Sequence, residues 1–172
     1  MVVDDGHAIS VSQFLHIGGG DMQVDAMLCD YVQPGGDGKL YVVGAGATAF
    51  LTPSRDLSFE LRFGLACTVH VPIAQAGAPH EIAVYVEGTD GNHVPLRVTP
   101  NPEPAPVITG MLRVPPPPQA ATADAVHVDP FCVMLHLRLE RPGVYEVVVA
   151  VDNEEQRRLP FLAGLVPAPG QV

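Results

Sequence analysis

The strongest pattern along the chain is alternation with a period of two. Between Leu57 and Ile73, apolar residues stand at Leu57, Phe59, Leu61, Phe63, Leu65, Cys67, Val69, Val71 and Ile73, with Ser58, Glu60, Arg62, Thr68 and His70 between them. Successive side chains on a strand point to opposite faces, so this spacing predicts one long strand with an apolar and a polar side. Gly64 falls inside it and is expected to mark a bulge or bend. A second strand of the same kind runs through Phe131, Val133, Leu135, Leu137 and Leu139. No segment sustains the i, i+3, i+4 spacing of a helix.

Shorter strands fill the intervals. Met22 to Val32 is β-compatible, and the turn cluster from Gln33 to Gly38 leads into Lys39 to Val43, which predicts a hairpin. Glu81 to Glu87 is expected to pair with Val94 to Val98 across Gly88 to Asn92, with Asp90-Gly91 supplying the positive φ of a tight turn. Val107 to Val114 reads as a short strand between two groups of prolines, Pro100, Pro102, Pro104 and Pro106 on one side and Pro115 to Pro118 on the other. Such a stretch suits a stiff crossover between sheets; the alternative is a docking peptide for a partner's aromatic groove. Tyr145 to Val151, a turn at Asp152 to Glu155 and Leu159 to Leu165 close the pattern. The predicted fold class is all-β: a single two-sheet antiparallel sandwich, immunoglobulin-like or jelly-roll-like, of about eight strands. Residues 1–20, ended by Gly18-Gly19-Gly20, read as a flexible N-terminal arm, and residues 21–172 as the sandwich domain.

Charge narrows the partners. The net charge is −10, and only one of the nine cationic residues is a lysine, Lys39. A surface able to track a phosphate backbone is not expected, which argues against nucleic acid. The bias toward Arg over Lys, with abundant Ala, Gly and Pro, fits a GC-rich bacterial coding sequence. Cys29, Cys67 and Cys132 make an odd, widely spaced set, unlike a disulfide framework, so a reducing cytoplasm is expected. Asp4 and Asp5 stand where a secretory signal needs basic residues, and the apolar run Leu40 to Leu51 is about half the ~20 residues that cross a bilayer. Neither export nor a membrane partner is expected.

Candidate chemistry is thin. Gly44-Ala-Gly46-Ala-Thr-Ala49 matches a dinucleotide-binding turn, but that motif needs a helix after it and Pro53 intervenes. The bland alternative is a set of small residues at a strand bend. No Cys-x-x-Cys occurs, and Cys132 and His136, on one face of a strand, stand roughly 13 Å apart at ~3.3 Å per residue, too far to share a zinc ion. No serine sits in a nucleophile elbow. His80-Glu81 lacks the downstream cysteines of a zinc deaminase. Asp90 and Asn92 fit a hairpin turn better than a calcium loop. No catalytic set, cofactor or metal is expected.

Three stretches carry a family resemblance: Val24 to Val32 with Gly38 to Gly46, then Val71-Pro-Ile with His80 to Gly88, and Arg141-Pro-Gly-Val-Tyr to Asp152 closing on Leu159-Pro-Phe161. They resemble a family of uncharacterised bacterial β-sandwich proteins, a domain of unknown function. The resemblance implies a fold and contributes no catalytic residue.

The resulting expectation is a non-enzymatic β-sandwich acting as a protein-binding or assembly module, through a protein partner or self-association. Two alternatives are a small-molecule sensor or carrier with an apolar cavity between the sheets, and an enzyme with a loop-built site for which His70, His80 and His93 are the first candidates. The candidate interface is the outer face of the strand ending at Leu139, which carries Cys132, Met134, His136 and Arg138. Three of these four are semi-apolar where a polar face is normal, so a cover is expected: a second subunit or the proline-rich segment.

Overall fold

The two long alternating segments pair with each other. In the structure, a computed structural model, β5 (Phe59–Pro72) runs antiparallel to β10 (Val126–Leu139) along its full length, with Phe59 opposite Leu139 and Pro72 opposite Val126. β1 (Gln23–Cys29) lies on the other side of β5, and the short β8 (Leu96–Arg97) pairs with the end of β10, giving the order β1-β5-β10-β8. The described residues are 21–36, 38–53, 58–98, 103–116, 122 and 125–166. The expected arm at residues 1–20, Leu57, and Pro100, Pro102, Pro117 and Pro118 lie outside them.

A second sheet is built on β6 (Pro79–Gly88), β11 (Gly143–Val151) and β12 (Glu154–Val166). β4 (Ala49–Pro53) adds to β12 at one edge; on the far side of β6 lie β9 (Ile108–Arg113), along its first half, and β7 (His93–Val94), near its end. The hydrophobic faces of the two sheets meet. Leu65, Val69, Leu135 and Leu137 from the first and Val84, Val86, Val147 and Val149 from the second are almost wholly excluded from solvent. Aromatic rings fill one part of this layer: Phe50 stacks on Phe63 at 4.3 Å between centroids, Phe161 lies 5.1 Å from Phe63, and Tyr145 lies 5.8 Å from Phe161. That filling is unfavourable to an apolar cargo at this position.

Tyr145 also has a polar end to satisfy. Its hydroxyl donates to the Arg141 carbonyl at 2.7 Å, pinning the turn that brings the chain from the first sheet to the second. Tyr145→Phe removes that donor and leaves a carbonyl short of its partner. The expected loss is about 1–2 kcal/mol, read as a lower urea midpoint at unchanged m-value.

The all-β class holds, but the simple two-sheet antiparallel sandwich of about eight strands does not. The described residues form twelve strands in three sheets, and the β4–β12 pair is parallel. The extra elements come from breaks that alternation does not show. The segment expected as one strand from Met22 to Val32 divides at Asp30: β1 stays in the first sheet, while β2 (Tyr31–Pro34) and β3 (Leu40–Val43) form a separate hairpin. The segment from Val94 to Val98 divides at Pro95, so that β7 belongs to the second sheet and β8 to the first. Pro104 and Pro106 stand between β8 of the first sheet and β9 of the second, as a crossover requires.

Gly64 makes no bulge. The pairing of β5 passes through it without a shift on both sides, Cys29 opposite it on β1 and Met134 on β10. A Cβ at this position would lie 2.7 Å from Cys29 Sγ and 2.8 Å from Val32 Cγ1. Glycine is needed because the β2–β3 hairpin seats itself directly on the sheet there.

Candidate functional site

The hairpin resolves half of the unusual face of β10. Cys132 and Met134 pack with Leu40 and Val42 against a small buried cluster of Cys29, Val32 and Ala66. Among the described residues, what packs on them is the chain's own hairpin. Its inward residues are apolar because they meet the sheet, and its outward side shows Tyr31, Tyr41 and Val43 to solvent. Burial pushes all three thiols up, that of Cys67 to about 12, so they stay protonated and weakly nucleophilic.

The other two residues of that face, His136 and Arg138, lie beyond the hairpin and line a cleft of about 790 Å³. The cleft sits at the end of the molecule where the turn between β6 and β7 meets the turn between β10 and β11. A contact of 3.4 Å between Arg141 and Asp90 ties the two turns together. Asp90 in turn accepts the Asn92 N–H at 3.2 Å, and hydrogen bonds from Asn92 hold its carboxyl below the usual range. Gly91, at φ 74°, completes the turn, so Asp90 and Asn92 serve the backbone.

The cleft gathers cations in an acidic protein. Arg62, Arg97, Arg138 and Arg141 line it, four of the nine Lys and Arg residues in the chain. Arg138 stands opposite Glu60, and its guanidinium donates to the Ser58 hydroxyl at 3.3 Å. Arg62 and Arg97 are different. They lie directly opposite His136 from its two sides, on β5 and β8, and neither has a carboxylate partner among the described residues. The Nε2 atom of His136 is enclosed and has no hydrogen-bond partner among them either. Exposed apolar side chains, including Pro95, Pro104 and Val144, make up part of the rest of the wall.

The three histidines considered for a loop-built enzyme do not converge. His70 Nε2 lies 3.1 Å from Asp25 on the first sheet. His80 is buried at the far end of β6, with Nδ1 2.8 Å from Asp152 Oδ2 and Nε2 donating to the Gln75 carbonyl at 3.2 Å. His93 lines the cleft, stacked on Tyr85 at 4.8 Å and 3.5 Å from Glu87. Each faces its own acid in a different place. Gly44 and Gly46 have φ of 67° and 79° and lead into β4, a strand, so the helix that a dinucleotide turn requires is replaced. The Asp30 carboxylate occupies the space a Cβ at Gly44 would take.

A family model of unknown function (DUF6941) matches residues 24–163. The chain belongs to that family. No curated protein matches the sequence. Among solved structures, the ASH / PapD-like domain of human CEP192 (PapD-like domain 7) is similar, with 11% identity, 94% of this chain and 99% of that chain covered, and a TM-score of 0.33. The described residues hold no helix long and apolar enough to cross a membrane.

Of the cleft's basic residues in this family member, His136 and Arg138 were among the interface residues expected from the sequence, and Arg62 and Arg97 were not. Arg62 was visible as a polar position opposite an apolar set. Its relation to His136 depends on the pairing of β5 with β10, and that of Arg97 on a two-residue strand that periodicity cannot detect.

Proposed function

We propose that the domain is a non-enzymatic protein-binding module whose binding surface is the cleft at the β6–β7 and β10–β11 end. The observation that carries this is the concentration of cations, two of them without an ion pair among the described residues, in one cleft of a chain whose net charge is −10. Charged side chains left without internal partners at a concave, partly apolar surface are the usual provision for a ligand from outside. The separation of His70, His80 and His93, each turned to a different carboxylate, favours binding over catalysis.

The test is a photo-crosslinking amino acid placed in the full chain in the cells that make it, at Thr89 or Pro95 in the cleft and at Glu154 at the opposite end. A discrete protein adduct from the cleft positions and none from Glu154 is expected. No adduct at Thr89 and Pro95, or equal adducts at all three, would reject the cleft as the binding surface.

A further inference from the structure

We infer that Arg62, His136 and Arg97 form a carboxylate-binding row, and that the partner presents to the cleft an extended segment carrying one or two Asp or Glu side chains among apolar residues. The inference rests on the cleft being the binding surface, and it adds the chemistry of what binds there.

Register is the first ground. Residues directly opposite across antiparallel strands have Cβ atoms about 4.5–5.5 Å apart, and like charges in such positions repel. His136 faces Arg62 on one side and Arg97 on the other, so the two permanent cations bracket the imidazole in a single row over three strands. The next row shows the ordinary solution, with Arg138 opposite Glu60. The outer face of the second sheet solves the same problem internally as well: Glu87 and Glu146, directly opposite each other, share Arg158 at 2.7 and 2.9 Å, and Glu155 chelates it. The row in the cleft differs: its two guanidinium groups, Arg62 and Arg97, make no ion pair among the described residues, although carboxylates stand elsewhere in the wall. A planar carboxylate lying over His136 accepts from the Arg62 guanidinium on one side and the Arg97 guanidinium on the other.

The surroundings select among anions. Glu60, Asp90 and Glu140 also line the cleft, and the whole chain is acidic. A dense polyanion such as a nucleic acid strand, or a phosphoryl group with nearly two charges, meets these carboxylates within the ~8 Å over which exposed charges interact at physiological salt. A single carboxylate carries about half the charge of a phosphoryl group and meets correspondingly less repulsion, and the exposed Pro95, Pro104 and Val144 offer its apolar neighbours a surface. The partner segment is therefore mixed acidic and apolar, not polyacidic.

The experiment uses a displayed library of random 12-residue peptides selected on the full chain, with recovered sequences synthesised and measured by fluorescence anisotropy. Three readouts follow each peptide: exchange of its Asp or Glu residues for Asn or Gln, binding to the Arg62→Gln/Arg97→Gln double variant, and binding to Thr89→Trp, which narrows the cleft from the β6–β7 turn and leaves the row's residues unchanged. Arg62, Arg97 and Thr89 are exposed, and an unchanged urea midpoint is the check that each variant is folded before binding is read. The expected result is peptides with one or two acids whose exchange weakens binding roughly tenfold to hundredfold, with a similar loss in the double variant. Peptides lost in Thr89→Trp but indifferent to both exchanges would overturn the carboxylate row while leaving the cleft as the binding surface. Peptides indifferent to Thr89→Trp as well would overturn both. Tighter binding when phosphoserine replaces the acid would overturn the choice of carboxylate.

Discussion

Replacing Gly64 with valine is expected to lift the β2–β3 hairpin from the first sheet and to lower the unfolding free energy by about 3 kcal/mol, the upper end of what overpacking costs. The reason is local and geometric. Even a single Cβ meets Cys29 Sγ at 2.7 Å, Val32 Cγ1 at 2.8 Å and the Val32 backbone nitrogen at 3.2 Å. The thiol can rotate, but the backbone nitrogen moves only if the hairpin does. Gly64→Ala is expected to cost about 1 kcal/mol and Gly64→Val to displace the hairpin outright. Two measurements check this: urea unfolding, and the rate at which a maleimide labels the folded protein. Cys29 is buried and Cys132 is shielded by the same hairpin, so both should label slowly in the parent chain and several-fold faster in the valine variant. Unchanged stability with unchanged labelling would show that the hairpin does not rest on Gly64.

The second large effect is at the opposite end, where Asp152 closes the β11–β12 turn. One carboxylate oxygen lies 2.8 Å from Nδ1 of the buried His80, and the other accepts the Glu81 backbone N–H at 2.8 Å. Asp152 and Asn153 have φ of 50° and 68°, a left-handed pair that suits Asp and Asn but strains alanine. Asp152→Ala therefore strands two donors and strains the turn, and is expected to cost about 3 kcal/mol. The hydrogen bond from His80, and then that from the Glu81 N–H, hold the Asp152 carboxyl below its ordinary value, against the opposing effect of burial. A carboxyl whose folded pKa is depressed stabilises the fold above its unfolded value of about 3.9, and that contribution fades as pH falls through the lower, folded value. Asp152→Asn keeps the turn and removes the charge. Its stability deficit should be full at pH 7 and shrink below about pH 4, measured by urea unfolding at a series of pH values. A deficit constant down to pH 2.5 would mean that the charge on Asp152 contributes nothing.

The long strands were readable in the sequence because burial on one side imposes a period that nothing local disturbs. Phe131 to Leu139 and Phe59 to Ile73 each declare which residues face the core. Short strands carry too few residues for a period: β7 and β8 have two each, and the switch between sheets at Pro95 has no apolar signature. Gly64 was visible as an interruption, but a bulge and a close approach leave the same mark; only the position of Val32 separates them. The same limit applies to the cleft. The semi-apolar run Cys132, Met134, His136 and Arg138 announced that something meets this face, and the structure divides it, the first two residues going to the hairpin and the last two to the cleft. Arg62 and Arg97 belong to the candidate site through register alone, which a single sequence does not contain.

The parallel edge pair has a consequence for how the chain is made. β4 joins β12, and Arg157 on β12 donates to the Val24 carbonyl on β1, a residue 133 positions earlier. Among the described strands, early ones are thus completed by the last. At about 5–20 residues per second, β5 leaves the ribosome several seconds before β11 and β12 exist to cover its apolar face. Through that interval the charges alternating with the apolar face are two, Glu60 and Arg62.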